Sequence, residues 1–273
     1  MRVLALLLLL PLVALPLPGR AGEPVDLALV LVSDVSRSVD DGEYRLQKEG
    51  YATAFRDPRV AAAVRGGAVG AVAVAYVEFA GASEVRTVLD WRVVRDADDL
   101  AGLAEELKAA PRSFWGRTSI SAGIDRAVQM LAEMPFEAQR RAIDVAGDGT
   151  NNAGREVQAA RDDAVAAGAT INGLTIIGEG PPGWAFAHVQ PPGGLTEWFR
   201  QNVAGGPGHF VLEVNEFAAF GEAMTRKLVS EIASLTPSRV GPGAPSESSP
   251  GLADSLGLAD GSLGESSGGG GRL

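Results

Sequence analysis

The fold is decided by the stretch Val25-Asp26-Leu27-Ala28-Leu29-Val30-Leu31-Val32-Ser33, which the run Asp34-Val35-Ser36-Arg37-Ser38 follows directly. The first stretch is an almost continuous series of Val, Leu and Ala, which is typical of a strand buried on both faces of a parallel sheet. The second run places one carboxylate and two hydroxyls at alternate positions of the loop that leaves this strand. Hard oxygen donors suit a small divalent cation, and α/β proteins build their sites at such strand ends. The sequence therefore predicts a buried strand with a cation site at its carboxyl end.

Apolar runs and helical patterns alternate along the middle of the chain. The predicted strands are 25–33, 68–79, 84–91, 141–146, 170–177 and 209–214. The predicted helices, in which apolar residues recur every three or four positions, are 41–55, 97–109, 119–134, 155–167, 195–203 and 216–232. This alternation predicts an α/β fold with a doubly wound, mostly parallel, Rossmann-like sheet and helices on both of its faces.

Two segments depart from this regular alternation. The junction Gly81-Ala82-Ser83 is too short to hold a crossover helix. The strand that follows it is therefore predicted to pair antiparallel with the strand before it, at an edge of the sheet. The segment 178–194 contains Pro181, Pro182, Pro191 and Pro192, which block regular pairing, so it is predicted to be a surface insertion.

The two ends of the chain are predicted to lie outside this domain. Residues 1–21 have the layout of a secretory signal, with Arg2, an apolar run, and the small residues Gly19 and Ala21 near the exit. A membrane anchor is the alternative, but prolines interrupt the apolar run, which is shorter than the roughly 20 residues that span a bilayer. Residues 236–273 are rich in Pro, Ser and Gly and are predicted to be a disordered tail. We therefore expect one domain over 23–235 in a periplasmic or secreted product, with no stable membrane insertion after signal cleavage.

Charge and cysteine content exclude two classes of protein. The formal net charge is −10 at pH 7, and an acidic surface repels the phosphates of nucleic acids. Nucleic acid is therefore not an expected partner. The sequence contains no cysteine, so the exported domain would be stabilised by an ordinary hydrophobic core and not by disulfides.

Two further loops carry compact oxygen donors, one just before a predicted helix and the other just after a predicted strand. Loops that leave the carboxyl ends of neighbouring parallel strands converge on one crevice, so we expect their donors to meet those of the first loop. The candidate metal ligands are Asp34, Ser36, Ser38, Thr118 and Asp148. Two carboxylates and three hydroxyls neutralise a dication and leave room for water. This donor set favours Mg²⁺, with Mn²⁺ or Ca²⁺ as possible substitutes.

These three segments resemble the metal-ion-dependent adhesion site of the von Willebrand factor type A (vWA) domain. The loop 34–38 fits the family pattern Asp-x-Ser-x-Ser in full. Thr118 falls where the family has its second-loop threonine, and Asp148 falls where it has its third-loop aspartate. The resemblance covers about residues 25–235 and includes the expected edge hairpin, so it implies the vWA fold.

The resemblance also implies a role for each ligand. Ser36, Ser38 and Thr118 would bind the ion directly through their hydroxyl oxygens, while Asp34 and Asp148 would act directly or through bound water. A carboxylate from a protein or peptide partner would then complete the coordination. The implied function is an exported, metal-dependent, adhesion-type binding module and not an enzyme.

The chain is more narrowly similar to an exported bacterial vWA-like family of unassigned function. This similarity lies in three stretches, 25–30, 143–152 and 205–211. This similarity says more about the fold of the chain than about its function.

Three residues beside the ligands are candidates for a rim that contacts the partner. Arg37 and Arg117 stand where many vWA domains have glycine, and a guanidinium near a dication favours an entering carboxylate or phosphate. The alternative is that both arginines simply point to solvent. Trp115 flanks the second loop and either contacts a partner or anchors that loop.

The same residues allow other interpretations. Asp and Ser after a strand also cap helices, and 148–152 has the composition of a plain turn. A phosphohydrolase would use the same oxygen cluster, but phosphoryl transfer to Asp34 requires a second carboxylate two residues later, where this chain has Ser36. Neither Gly-x-Ser-x-Gly nor a phosphate-binding Gly-x-x-x-x-Gly-Lys loop occurs within 23–235. A scaffold domain with a non-functional metal site is the remaining alternative.

Overall fold

The computed structural model describes residues 22–177 and 191–233, in which six strands form one sheet in the order β3-β2-β1-β4-β5-β6. The strands are β1 (Glu23–Asp34), β2 (Val72–Phe79), β3 (Val85–Val94), β4 (Phe136–Gly147), β5 (Thr170–Ile176) and β6 (Val211–Val214). The helices are α1 (Asp41–Arg56), α2 (Pro58–Arg65), α3 (Ala97–Ala109), α4 (Ile120–Glu133), α5 (Val157–Ala166), α6 (Leu195–Asn202) and α7 (Phe220–Ala233). A short 3-10 helix, Phe217–Ala219, precedes α7.

The strand β1 is the centre of the sheet. It pairs parallel with β2 on one side and with β4 on the other, and every residue from Val25 to Asp34 is buried. Among the strand pairs of residues 22–177 and 191–233, only β2–β3 is antiparallel. The predicted doubly wound sheet with one antiparallel edge strand is therefore confirmed.

Both faces of the sheet are covered by helices, as the continuous apolar runs require. One core forms between the sheet and α1, α2, α3 and α7, and a second core forms between the sheet and α4, α5 and α6. Successive residues of β1 alternate between these cores, with Leu27, Leu29 and Leu31 in the first and Ala28, Val30 and Val32 in the second. This arrangement leaves the carboxyl ends of the parallel strands as the natural place for a site.

The largest differences between the structure and the sequence-based prediction concern two elements. The helix α2 was not predicted, although Asp57 caps it and Pro58 occupies its first position, which is a favoured start for a helix. The strand β4 was predicted over 141–146 only. Its first half pairs with β1 alone and alternates between exposed and half-buried residues, so it lacks the continuous apolar pattern that marks a doubly covered strand.

Several predictions concern segments outside the described residues. The signal peptide over 1–21, the tail over 236–273 and residues 178–190 of the proline-rich segment belong to this group. Across 22–177 and 191–233, none of the helices combines the length and apolar character needed to cross a membrane.

Candidate metal centre

The five predicted ligands meet at the carboxyl edge of the sheet. Ser38 Oγ lies 2.9 Å from Ser36 Oγ and donates a hydrogen bond of 2.9 Å to Asp148 Oδ1. Thr118 Oγ1 donates to Ser36 Oγ at 3.1 Å. Asp34 Oδ1 accepts a 2.7 Å bond from the Ser36 amide. The three loops therefore bring their oxygen donors into one continuous cluster.

Topology explains why these side chains converge. Asp34 is the last residue of β1, and Asp148 directly follows the last residue of the neighbouring strand β4. Thr118 lies two residues before α4, whose N-cap is Ser119. Because β1 and β4 run parallel, their ends and the loops that leave them share one edge of the sheet.

The carboxylate of Asp34 is the most constrained group of the cluster. It is fully buried, and its Oδ2 atom has no hydrogen-bond partner among the described residues. Burial, reinforced by the nearby charge of Asp148, raises the pKa of Asp34 to about 8. A buried, unpartnered carboxylate oxygen beside a second carboxylate fits a divalent cation, which would offset the cost of both charges. The residues present therefore fit the metal that the sequence predicts.

Hydroxyl oxygens are an essential part of this donor set. Among the residues of 22–177 and 191–233, no three His, Cys, Asp or Glu side chains are grouped so that they could hold a metal ion. The cluster contains two carboxylates only, so a metal bound here would depend on Ser36, Ser38 and Thr118 for the rest of its protein ligands. Oxygen-only coordination is the preference of hard cations such as Mg²⁺, Mn²⁺ and Ca²⁺.

Arg112, which sequence reasoning missed, holds the first loop in place. Its Nη2 atom donates to the carbonyl oxygens of Val35, Ser36 and Val39 at 2.8 to 2.9 Å. Its Nε atom donates to the Phe114 carbonyl at 2.9 Å, and only 5% of the side chain is exposed. No local sequence pattern distinguishes this arginine from one that points to solvent, so only the structure identifies it.

Two asparagines tie the second loop to the third. Asn152 Oδ1 accepts from the Thr118 amide at 3.0 Å, and the Asn152 amide donates to the Thr118 carbonyl at 2.8 Å. Asn151 Oδ1 accepts from the Ser121 amide at 3.1 Å. These residues lie in the stretch 148–152, where a plain turn was one interpretation of the sequence. The position of Thr118 is thus fixed from the loop that carries Asp148.

A close backbone approach joins the first loop, the second loop and the β2–β3 hairpin. The Arg37 amide donates to the Gly116 carbonyl at 3.0 Å. A Cβ atom at Gly116 would lie 1.5 Å from Glu84 Oε2, and that same oxygen accepts from the Gly81 amide at 2.8 Å. Position 116 therefore has no room for a side chain while Glu84 keeps this position.

The predicted rim residues are exposed beside the cluster. Arg37 and Arg117 both reach solvent, and neither forms an ion pair within the part of the chain that the structure describes. Trp115 is 59% exposed, and the guanidinium carbon of Arg112 lies 5.2 Å from its ring centroid. Trp115 therefore contacts the arginine that holds the first loop and also presents an aromatic surface to solvent.

A family model matches residues 24–236. The chain belongs to the family described as Protein of unknown function (DUF1194). The matched part of this DUF1194 chain includes β1 from Pro24 onward, the other five strands and all three loops of the oxygen cluster. No curated protein matches the chain.

Solved structures show that the fold of this DUF1194 chain is vWA-like. Proximal thread matrix protein 1 from the mussel byssus is 19% identical with a TM-score of 0.54, over 78% of this chain and 49% of that chain. A structure of the same mussel protein with a zinc-occupied MIDAS motif is 18% identical with a TM-score of 0.52, over 78% and 50%. The von Willebrand factor type A protein from Catenulispora acidiphila is 15% identical with a TM-score of 0.52, over 76% and 43%. The chain thus spans half or less of the length of these proteins, and at such identities the likeness shows the fold alone.

The role of Arg112 gives a testable prediction. Arg112→Met removes the donors to three loop carbonyls, so we expect the free energy of unfolding to fall by about 2 to 3 kcal/mol. Amide exchange in residues 35–39 should accelerate at the same time. Urea denaturation and hydrogen exchange measure the two effects.

Arg45→Met is the matched control for this experiment, because Arg45 is exposed on α1 and, within the described residues, its side chain bonds the preceding turn of its own helix. We expect it to change stability by less than about 0.5 kcal/mol. Equal effects of the two variants would show that Arg112 does not hold the loop.

Proposed function

We propose that this chain is an exported, metal-dependent protein-binding module that captures an acidic group of a partner through a divalent cation. The observation that carries the proposal is the three-loop oxygen cluster, in which the buried Oδ2 atom of Asp34 has no partner among the described residues. Export is inferred from the signal-like residues 1–21 alone. The periplasmic or extracellular location follows from that inference.

Within this proposal, the chain contributes donors that are already assembled. Ser36, Ser38 and Thr118 hold the metal with their hydroxyl oxygens, and Asp34 and Asp148 neutralise its charge. When bound, the cation supplies an electrophilic position that a carboxylate oxygen from the partner can enter. Mg²⁺ is our first choice because all the donors are hard oxygens, with Mn²⁺ or Ca²⁺ as alternatives. The zinc-occupied MIDAS motif of the mussel protein supports a divalent cation on this fold.

The surroundings of the cluster favour an acidic partner. Two carboxylates neutralise a dication, so the exposed guanidinium groups of Arg37 and Arg117 would leave a local excess of positive charge. This excess stands out on a chain whose net charge is −10. The exposed ring of Trp115 adds apolar contact area of the kind found at protein interfaces. These features support a protein or peptide partner that supplies a carboxylate.

We also propose that the module binds its partner without chemical turnover. The hydroxyls of Ser36 and Thr118 are hydrogen-bonded within the oxygen cluster. Of the two histidines in the sequence, His188 lies outside the described residues, and His209 precedes β6 at the amino end of that strand. The oxygen cluster lies at the opposite, carboxyl edge of the sheet, so His209 is not placed to act as a base for its hydroxyls.

Calorimetric titration of the metal-free protein tests the proposed site. We expect binding of one Mg²⁺ or Mn²⁺ ion per chain, and loss of that heat in Asp34→Asn and Asp148→Asn. Asp34→Asn keeps the shape of the side chain and cannot carry a charge in the buried site. The metal-free variant should therefore be at least as stable as the metal-free wild type, which separates loss of binding from loss of folding.

Asp90→Asn is the control for this titration, because Asp90 is an exposed carboxylate on β3. It should bind metal as the wild type does. Absence of heat with Mg²⁺, Mn²⁺ and Ca²⁺ in the folded wild type would reject the metal-dependent function and favour the scaffold interpretation.

Affinity capture from a periplasmic extract on the immobilised protein tests whether Arg37 and Arg117 help to select the partner. We expect proteins retained in Mg²⁺ to be released by a chelator. The double variant Arg37→Ser/Arg117→Ser should retain less protein and show a weaker dependence on salt, because fewer charges are screened. Arg45→Ser removes an exposed arginine from α1 and should behave as the wild type does. An unchanged salt dependence in the double variant would show that the two arginines do not select the partner.

A further inference from the structure

A second group of ionisable side chains lies buried away from the metal centre, between β4 and α7. Lys227 Nζ lies 2.7 Å from Asp144 Oδ1 and 2.6 Å from Glu231 Oε1. The exposed fractions of the three side chains are 0%, 0% and 1%. Asn172 Nδ2 donates to Glu231 Oε1 at 2.7 Å, so β5 also contributes to the group. None of these residues takes part in the proposed metal site.

The surroundings of this group disfavour the charged form of Asp144. One ammonium and two carboxylates leave a net negative charge among side chains that are 0 to 1% exposed. Neither oxygen of Asp144 makes a hydrogen bond within the described residues, although Lys227 is so close. Burial, reinforced by the charge of Glu231, raises the pKa of Asp144 to about 7. Burial therefore favours the neutral carboxyl form of Asp144.

We propose that Lys227 and Asp144 condense to form an intramolecular amide bond, with Glu231 as the proton carrier. A primary amine and a carboxyl group, held in contact and shielded from water, have the high effective concentration that promotes such a reaction. Glu231 is placed for its role because it contacts the nitrogen that must lose protons. Asn172 orients Glu231 by bonding the same carboxylate oxygen that faces the amine.

The reaction balances without any added reagent. A proton passes from the Lys227 ammonium to the Asp144 carboxylate, and the lone pair of the resulting amine attacks Cγ of Asp144. Glu231 accepts a proton from the attacking nitrogen and delivers it to the departing hydroxyl group. A C–N bond forms, a C–O bond breaks, and one water molecule leaves. Glu231 ends as a carboxylate, so the net charge of the group is unchanged.

The bond replaces two buried charges with one neutral amide and joins distant parts of the chain. It would link β4, which leads into the loop of Asp148, to α7, the last described helix. Closing so long a segment restricts the unfolded chain, as a disulfide does. A covalent cross-link of this kind gives stability to a chain that has no cysteine.

Peptide mass spectrometry of the folded, full-length protein tests this proposal. After denaturation and digestion with trypsin, residues 142–155 and 227–239 should appear as one joined species. Its mass should be lower than the sum of the two peptides by about 18 Da, the mass of one water molecule. Trypsin should not cleave after Lys227. Recovery of the two segments as separate peptides from the wild type, with cleavage after Lys227, would overturn the proposal.

Two variants exclude other sources of the mass loss. The Asp148-Gly149 pair in the first peptide can also lose water by forming a succinimide, but that product is not joined to residues 227–239 and would persist in Lys227→Arg. We expect Lys227→Arg to lose the joined species entirely, because a guanidinium replaces the amine. Glu231→Gln, if folded by circular dichroism, should also lose it, and a fully joined Glu231→Gln protein would overturn the role assigned to Glu231. The wild-type digest decides the cross-link itself, whether or not the variants fold.

Discussion

Two carboxylates in one buried crevice are the constraint on which the rest of the site depends. Asp34 and Asp148 come together because β1 and β4 are neighbouring parallel strands that end at the same edge of the sheet. Burial of Asp34, reinforced by the like charge of Asp148, raises the pKa of Asp34. The Ser36 amide and the positive charge of Arg112 offset part of this cost. One oxygen of Asp34 remains without a partner in the described part of the chain, and a divalent cation would satisfy it.

The loops that carry the ligands are held by one another. Arg112 fixes the carbonyls of the first loop, Asn152 fixes Thr118, and the Arg37 amide bonds the Gly116 carbonyl of the second loop. Because most of these contacts are made by the backbone or by buried side chains, the donors need little ordering when they bind a ligand. Preorganisation of this kind lowers the entropic cost of binding.

Much of the fold and of the site could be predicted from the sequence because each feature had a local signature. The continuous apolar run of β1 marked the central strand, and the short junction 81–83 marked the antiparallel hairpin. The five oxygen donors stood at spacings that match a known pattern, and parallel topology explains why their loops converge. Whether these donors bind a metal stays a prediction.

Other features had no local signature. Arg112 differs from a surface arginine only through the carbonyls that surround it in the fold. Lys227 and Glu231 are spaced as a solvent-exposed ion pair on a helix would be, and only the packing of α7 on β4 and β5 buries them against Asp144 and Asn172. Such features depend on contacts between residues far apart in the chain, which composition and periodicity do not reveal.

Anomalous X-ray scattering from crystals grown with Mn²⁺ would show whether the three loops together hold one divalent cation. We expect one strong anomalous peak at the carboxyl edge of the sheet. This peak should lie within direct ligand distance, about 2.0 to 2.6 Å, of the hydroxyl oxygens of Ser36, Ser38 and Thr118. A peak elsewhere on the molecule, or no peak between these loops at saturating Mn²⁺, would show that the three loops do not hold the cation.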